Sequence, residues 1–206
     1  MIHVISTGSE SVDASRCLSS MAEQTEELYH HVHLGGLYLD NLLSSIDGIP
    51  PDAIVAFVDA DDWLAHPLAL ERVKEAHGAG AWVTYGSYQF ADGRQATWQR
   101  AMTPAELASP RQHKWLASHL KTVRAGLLQR IDPEHLSRVH GRDQALMFPA
   151  IEMAGPGRVA YVSEVLYTYN WGASFEFSAD PAAIAEEQKD VIAIRAMVPY
   201  ERLEAL

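Results

Sequence analysis

Apolar and polar positions alternate along this chain in blocks whose period switches between that of a strand and that of a helix. Residues 2–6 are a short run rich in Ile and Val that ends in Thr7-Gly8-Ser9, the pattern of a buried strand and its turn. Beyond it, Ser11 or Asp13 can cap a segment in which Cys17, Leu18, Met21 and Ala22 recur at helical spacing. Residues 29–34 predict a second strand closed by Gly35-Gly36. Leu37, Leu39, Leu42, Leu43 and Ile46 then predict a helix stopped by Gly48 and Pro50. Residues 53–58 are wholly apolar, as expected of a strand in the middle of a parallel sheet. A helix over 66–77 ends at Gly78, and a strand over 82–90 turns at Ala91-Asp92-Gly93-Arg94 into a return strand towards Trp98. Residues 104–155 read as mostly helical with a loop near 109–118. A late strand over 159–169 and a terminal amphipathic helix over 181–197 follow.

Strands alternating with helices indicate βαβ units. With no repeat and no low-complexity linker, the expectation is one α/β, Rossmann-like domain over 1–206, with a mostly parallel central sheet flanked by helices. Composition agrees: of 206 residues, 48% are hydrophobic and 21% charged, which excludes disordered and fibrous classes. The longest purely apolar stretch is six residues, so no membrane segment is expected. No basic stretch followed by an apolar one opens the chain, so no signal peptide is expected either. Cys17 is the only cysteine, which excludes internal disulfides and thiolate zinc clusters and suits a reducing, cytoplasmic setting.

Charge changes the picture by its distribution. The total is −11, yet residues 1–64 hold eleven acids and one base, while residues 105–145 hold four acids and seven bases. Net acidity argues against a general nucleic-acid coat. The basic stretch is either a solvated face or the place where a phosphate-bearing ligand is welcome.

The strongest chemical signal is Asp59-Ala60-Asp61-Asp62-Trp63, directly after the apolar run 53–58. Ligands of open α/β sheets sit outside the carboxyl ends of the strands. Three carboxylates crowded there repel one another unless a cation neutralises them, and all-oxygen ligation suits Mg2+ or Mn2+. The bland alternative is an acidic surface turn before a helix.

This arrangement resembles the nucleotide-sugar site of family-2 glycosyltransferases of the GT-A fold. The stretch Arg16-Cys17-Leu18-Ser19-Ser20-Met21-Ala22-Glu23-Gln24-Thr25 is similar to the helix after their first strand. Arg142-Asp143-Gln144-Ala145-Leu146-Met147-Phe148-Pro149 resembles their acidic helix start, and Tyr167-Thr168-Tyr169-Asn170 their closing core strand. The resemblance covers roughly residues 1–175. It implies that Asp61 binds a metal on the donor diphosphate, that Asp59 contacts the ribose or the metal, and that Asp62 contacts the sugar. Ser6 and Thr7 would line the nucleobase pocket. Residues 1–100 would form the nucleotide-sugar half and 101–206 the acceptor side. The chain departs from the family twice. Leu34-Gly35-Gly36 stands where an Asp usually grips the base, and Asn170-Trp171-Gly172-Ala173-Ser174 stands where many members carry a metal-binding His.

Transfer from a sugar diphosphate needs a base on the acceptor hydroxyl and charge relief on the leaving group. Asp143 is the candidate base, although a helix-start Asp is also stabilised by the helix dipole; Glu152 is a weaker candidate. His119, Lys121 and Arg124, in a string similar to some members of the family, are candidates to hold the diphosphate. His30, His31 and His33 invite a metal reading but have no partner acid at matching spacing. Trp115 and Trp171 are candidates to stack on an acceptor. The expected activity is metal-dependent, inverting transfer of a hexose from a nucleoside-diphosphate sugar, a UDP-sugar first, to a glycan or small molecule. A second expectation is the same chemistry on hydroxymethylated DNA, as in short phage enzymes of this fold. A third is a non-catalytic nucleotide-binding protein. A nucleotidyltransferase fits poorly, because only Gly8 lies near the first strand where a glycine-rich phosphate loop belongs.

Overall fold

A computed structural model describes residues 1–137, 140–171 and 181–206, with the backbone alone at 182 and 183. The first half runs β1 (Ile2–Gly8), α1 (Ser15–Ala22), β2 (Leu28–Leu34), α2 (Tyr38–Ile46), β3 (Ile54–Phe57), β4 (Trp63–Leu64), α3 (Ala69–Gly78) and β5 (Val83–Phe90). The second half runs α4 (Pro104–Ala108), β6 (Lys121–Arg124), α5 (Ala125–Leu128), α6 (Pro133–Leu136), α7 (Arg142–Ala154), β7 (Val159–Tyr169) and α8 (Pro181–Ala196). One seven-stranded sheet takes the order β2-β1-β3-β6-β5-β7-β4.

The sheet is mostly parallel, as expected, with five of its seven strands running one way, but two strands make it mixed. β1 pairs in parallel with β2 and β3, and β5 with β7, whereas β6 runs against both β3 and β5, and β4 against β7. The reason lies in the path of the chain. β5 ends at the edge of the sheet where β1 and β3 also end. Residues 91–120 then cross over Tyr85 and Tyr161 to α4, which lies beside the residues just before β7, and return, so β6 enters the sheet from the first edge and runs back down. β6 was hidden in a segment expected to be helical, because Lys121-Thr122-Val123-Arg124 has one apolar side chain. Its first three residues are nevertheless buried. The expected return strand after Asp92 reduces to one bridge between Gln89 and Gln95. The terminal helix is not amphipathic as expected: Ile194 is buried while Ile184 and Ile192 are exposed.

Alternation along the strands sorts the core onto two faces. Val4, Ile54 and Ala56 pack with Cys17, Leu70, Val73, Leu166 and Tyr167 on the face covered by α1 and α3. Ile5, Val55, Val83 and Val123 pack with Leu42, Met147 and Ile151 on the face covered by α2 and α7. The sheet therefore holds the ends of β1 and β3 and the start of β6 side by side near α2 and α7, and that is where the acidic turn emerges.

Candidate active site

β1 delivers Thr7 and then Gly8, whose lack of a side chain is required. A Cβ there would stand 2.8 Å from Val12 Cγ1 and 2.9 Å from Ala60 Cβ. This close approach ties the loop after β1 to the acidic turn, as does the Ala60 amide bonded to Thr7 O (3.0 Å), while the Gly35 amide bonded to Gly8 O (2.8 Å) ties it to the loop after β2. The open space left between these loops and α7 is a cavity of about 530 Å3. Thr7, Asp59 and Asp61 line it together with Gly35-Gly36, Tyr38 and Asn41 on one side and Lys121, Arg142 and Asp143 on the other. The cavity thus lies at the carboxyl ends of β1 and β3, where an open sheet presents its ligands.

Of the residues singled out in the sequence, the structure brings Thr7, Asp59, Asp61, Lys121 and Asp143 to this cavity and separates the others from it. Asp62 is turned inward and 1% exposed. Its carboxylate accepts the Tyr167 hydroxyl at 2.5 Å and the Asn170 amide at 2.7 Å. Burial, then the neighbouring charge of Asp59, pushes its pKa up to about 8. Asp62 therefore anchors the turn instead of meeting a sugar. Ser6 is fully buried on the opposite face of β1, bonded to His30 Nε2 at 2.9 Å and in contact with Cys17 Sγ at 3.4 Å, so it cannot line a base pocket. The His119 ring stacks on Tyr167 and Tyr169 at centroid distances of 4.4 and 5.9 Å. Burial lowers its pKa to about 3, so it is no phosphate-binding cation.

Four further candidates lie away from the cavity. Arg124 pairs with Ile54 at the start of β3, the far edge of the sheet, where its guanidinium donates to the carbonyls of Asp52 and His77. Trp115 packs edge-on against Phe148 of α7, 5.3 Å between centroids, and Trp171 lies edge-on beside Phe90; neither lines the cavity. Glu152 is buried in an ion pair with Arg111 at 2.6 Å and also accepts the Tyr200 amide. The three strand histidines part company: His30 bonds Ser6, His31 bonds His3 at 3.0 Å, and His33 bonds Ser45 at 2.7 Å.

Lys121 and Asp143 form an ion pair on the cavity wall. Burial works to raise the Asp143 pKa, but the charge and hydrogen bond of Lys121, together with His119 and Arg142, outweigh it and the carboxyl lies below its ordinary value. The start of α7 is set by Gly141, held at φ 64°, where a side chain would be strained and would also crowd Val191 and Ile194 of α8. Sequence reasoning missed Tyr38, which carries Arg142 over its ring at 4.6 Å, and Asn41, whose amide donates to Gly35 O at 2.8 Å. It also missed Tyr167 as the clamp on the acidic turn. The signal available was indirect: an aromatic strand whose hydroxyl needs a buried partner.

Among the described residues no three His, Cys, Asp or Glu gather as a ready metal cluster. Asp59 and Asp61 still offer oxygens to one cavity, and burial raises the Asp61 carboxyl, a cost that a cation beside it would offset. The pair fits a hard divalent ion that takes its remaining ligands from phosphate and water.

No protein-family model matches the sequence, and no curated protein matches it. Solved structures do match in shape. A Staphylococcus aureus TarS fragment in complex with UDP-GlcNAc superposes with a TM-score of 0.61 at 14% identity, covering 94% of this chain and 66% of that one. A mannosyltransferase from Pyrobaculum calidifontis in complex with GDP-Man and Mn2+ gives 0.57 at 13% identity, covering 97% of this chain and 65% of that one. The chain has a GT-A fold. It spans somewhat less than two thirds of these chains, and 36% of a longer TarS chain. The GT-A sheet accounts for the place of the cavity, and no helix among the described residues is long and apolar enough to cross a membrane.

Proposed function

We propose that this protein is a metal-dependent glycosyltransferase that moves a sugar, a hexose, from a nucleoside-diphosphate sugar to an acceptor hydroxyl. The observation that carries the reading is the convergence of Asp59, Asp61, Lys121 and Asp143 on one cavity at the strand ends. Thr7, Gly35-Gly36 and Asn41 make the side suited to a nucleoside, and a UDP-sugar is the first donor to try. Asp59 and Asp61 would hold Mn2+ or Mg2+, which when bound supplies charge neutralisation for a diphosphate leaving group. Asp143, exposed enough to be reached from the cavity, accepts the acceptor's hydroxyl proton. The acceptor oxygen then bonds to the anomeric carbon as the bond from that carbon to the diphosphate oxygen breaks. One base and no enzyme nucleophile imply inversion.

The acceptor favoured is an uncharged glycan or small molecule rather than hydroxymethylated DNA. Most cations of the basic stretch are engaged internally: Arg111 with Glu152, Lys121 with Asp143, and Arg124 and Arg130 with backbone carbonyls. The test is a panel of UDP- and GDP-sugars followed by thermal shift with and without Mn2+, then by product formation on simple sugars. Metal-dependent stabilisation by a sugar nucleotide together with transfer is expected. Stabilisation without turnover on any acceptor would favour the non-catalytic nucleotide-binding reading.

A further inference from the structure

The Lys121–Asp143 pair sits awkwardly in a transferase. Lys121 is rooted in the sheet opposite Phe57, with its side chain 4% exposed, whereas that of Asp143 is 42% exposed. The rest of the cavity wall is acidic, with Asp59, Asp61 and Glu187, and Arg142 is drawn over the Tyr38 ring. Lys121 is thus the cation best placed to meet a diphosphate, and its charge is already taken by the carboxylate that should act as base. A carboxylate held by an ammonium is a weak base, because pairing stabilises its ionised form.

We propose that Lys121 is a positioning residue that switches partners: a bound donor diphosphate draws its ammonium off Asp143, and the base is released only when the donor is seated. The inference rests on the glycosyltransfer reading above. A diphosphate offers more charge and more acceptor oxygens than one carboxylate, so the exchange runs toward the ligand. No bond is made or broken in it, and Lys121 keeps its proton. The groups facing Asp143 are Lys121 of β6, His119 before it, Tyr38 of α2 and Arg142 of its own helix.

The test is a double-mutant cycle on nucleoside-diphosphate affinity, with UDP and GDP as probes in the presence of Mn2+, read by calorimetry. Asp143→Asn removes the competitor for Lys121, so the diphosphate should bind about tenfold tighter, roughly 1.4 kcal/mol. Lys121→Met should weaken it by a similar factor, and in that background Asp143→Asn should change nothing beyond about twofold. A gain from Asp143→Asn that persists undiminished without Lys121 reflects the general field of the cavity and overturns the switch, as does no gain at all. If Lys121→Met does not fold, the wild type supplies a second readout. Binding of UDP near pH 5 should take up protons that Asp143→Asn does not, measured in buffers of different ionisation enthalpy, and equal uptake by both proteins overturns the proposal. Failure of the wild type to bind either diphosphate overturns the glycosyltransfer reading itself, and this switch with it.

Discussion

The Tyr167 hydroxyl on β7 donates to the buried carboxylate of Asp62 at 2.5 Å, linking the closing strand of the sheet to the acidic turn. The same oxygen accepts the Asp59 amide at 3.2 Å, and Asn170, three residues on, gives its amide to Asp62 and its side chain to Asp61 O. A turn crowded with carboxylates would splay on repulsion alone. Here β7 fixes its backbone, and Asp59 and Asp61 are left facing the cavity.

Tyr167→Phe should therefore cost more than one ordinary hydrogen bond. It leaves a buried carboxylate oxygen and the Asp59 amide short of a partner, a loss of about 1–3 kcal/mol in stability by urea denaturation. The turn should also loosen, so Mn2+-dependent binding of UDP or GDP should fall while the far-ultraviolet circular dichroism stays native. Unchanged stability and nucleotide binding would show that Asn170 holds the turn alone.

Glu152 and Asp143 lie nine residues apart on α7, and their substitutions should behave in opposite ways. Glu152→Gln strands the Arg111 guanidinium, whose side chain is 4% exposed, without its counter-ion. Breaking a buried pair from one side costs about 3–5 kcal/mol, so this variant should lose much of its stability. Whatever folds should bind UDP or GDP like the wild type. Asp143→Asn also takes the counter-ion from Lys121, whose side chain is 4% exposed, but that pair opens onto the cavity with Asp143 42% exposed. This variant should therefore lose less stability than Glu152→Gln, stay folded, and lose transfer by a factor of about 100 or more. Loss of transfer without loss of stability in Glu152→Gln would move the base to Glu152.

The contrast between these two acids shows how far the sequence could be read. The βα order, the apolar β3 and the acidic turn at its end were legible because each rests on local pattern. Which carboxylate faces the cavity was not. Asp61 and Asp62 are adjacent, and only the distant Tyr167 and Asn170 decide that Asp62 points inward. Lys121 and Arg124 read as one basic cluster, yet three steps along a strand carry them to opposite edges of the sheet. Without β6 in view, the sequence could not separate the cation at the site from the one beside Asp52. Ser6 and Thr7 were parted by the same alternation, which sends successive side chains to opposite faces.

Acid should unfold the protein through histidines buried in the neutral form. Burial, above all, lowers the pKa of His77 and of His119 to about 3. The unfolded chain takes up protons near pH 6.5, which the folded rings refuse until about pH 3. The contribution of these two rings is therefore full above about pH 6.5 and falls as the pH is lowered towards 3, by about 1.4 kcal/mol per pH unit for each ring. Asp62, whose carboxyl is raised to about 8, offsets part of that loss with the opposite sign. Burial lowers His3, His30 and His31 as well, which adds to the loss from the two rings with the same sign. Urea midpoints at pH 7 and pH 5 measure it, and His77→Gln, which can still reach Thr122, should flatten the dependence by one proton. The same change in midpoint between the two pH values in the wild type and in His77→Gln would mean that the His77 ring protonates without unfolding.

The acceptor can be judged by salt. Duplex binding weakens with salt at a slope of about −0.9 for each phosphate neutralised. The stretch 105–145 carries seven bases, and Arg138 among them lies outside the described residues. Arg111, Lys121, Arg124 and Arg130 are committed to internal partners, Arg142 stands over Tyr38, and Lys114 over Trp98 at 5.6 Å. Among the described residues of the stretch, Lys114 and Arg142, each held only over a ring, are the cations best placed to meet a backbone, against an acidic total of −11. Binding to hydroxymethylated duplex should therefore be weak, with a slope no steeper than about −2, and transfer onto it should not exceed that onto unmodified duplex. Transfer to neutral sugars should be insensitive to salt between about 50 and 300 mM, a range over which phosphate contacts respond strongly. A slope of about −4 or steeper, with transfer confined to the hydroxymethylated duplex, would instead make DNA the acceptor and require the engaged cations to leave their partners on binding.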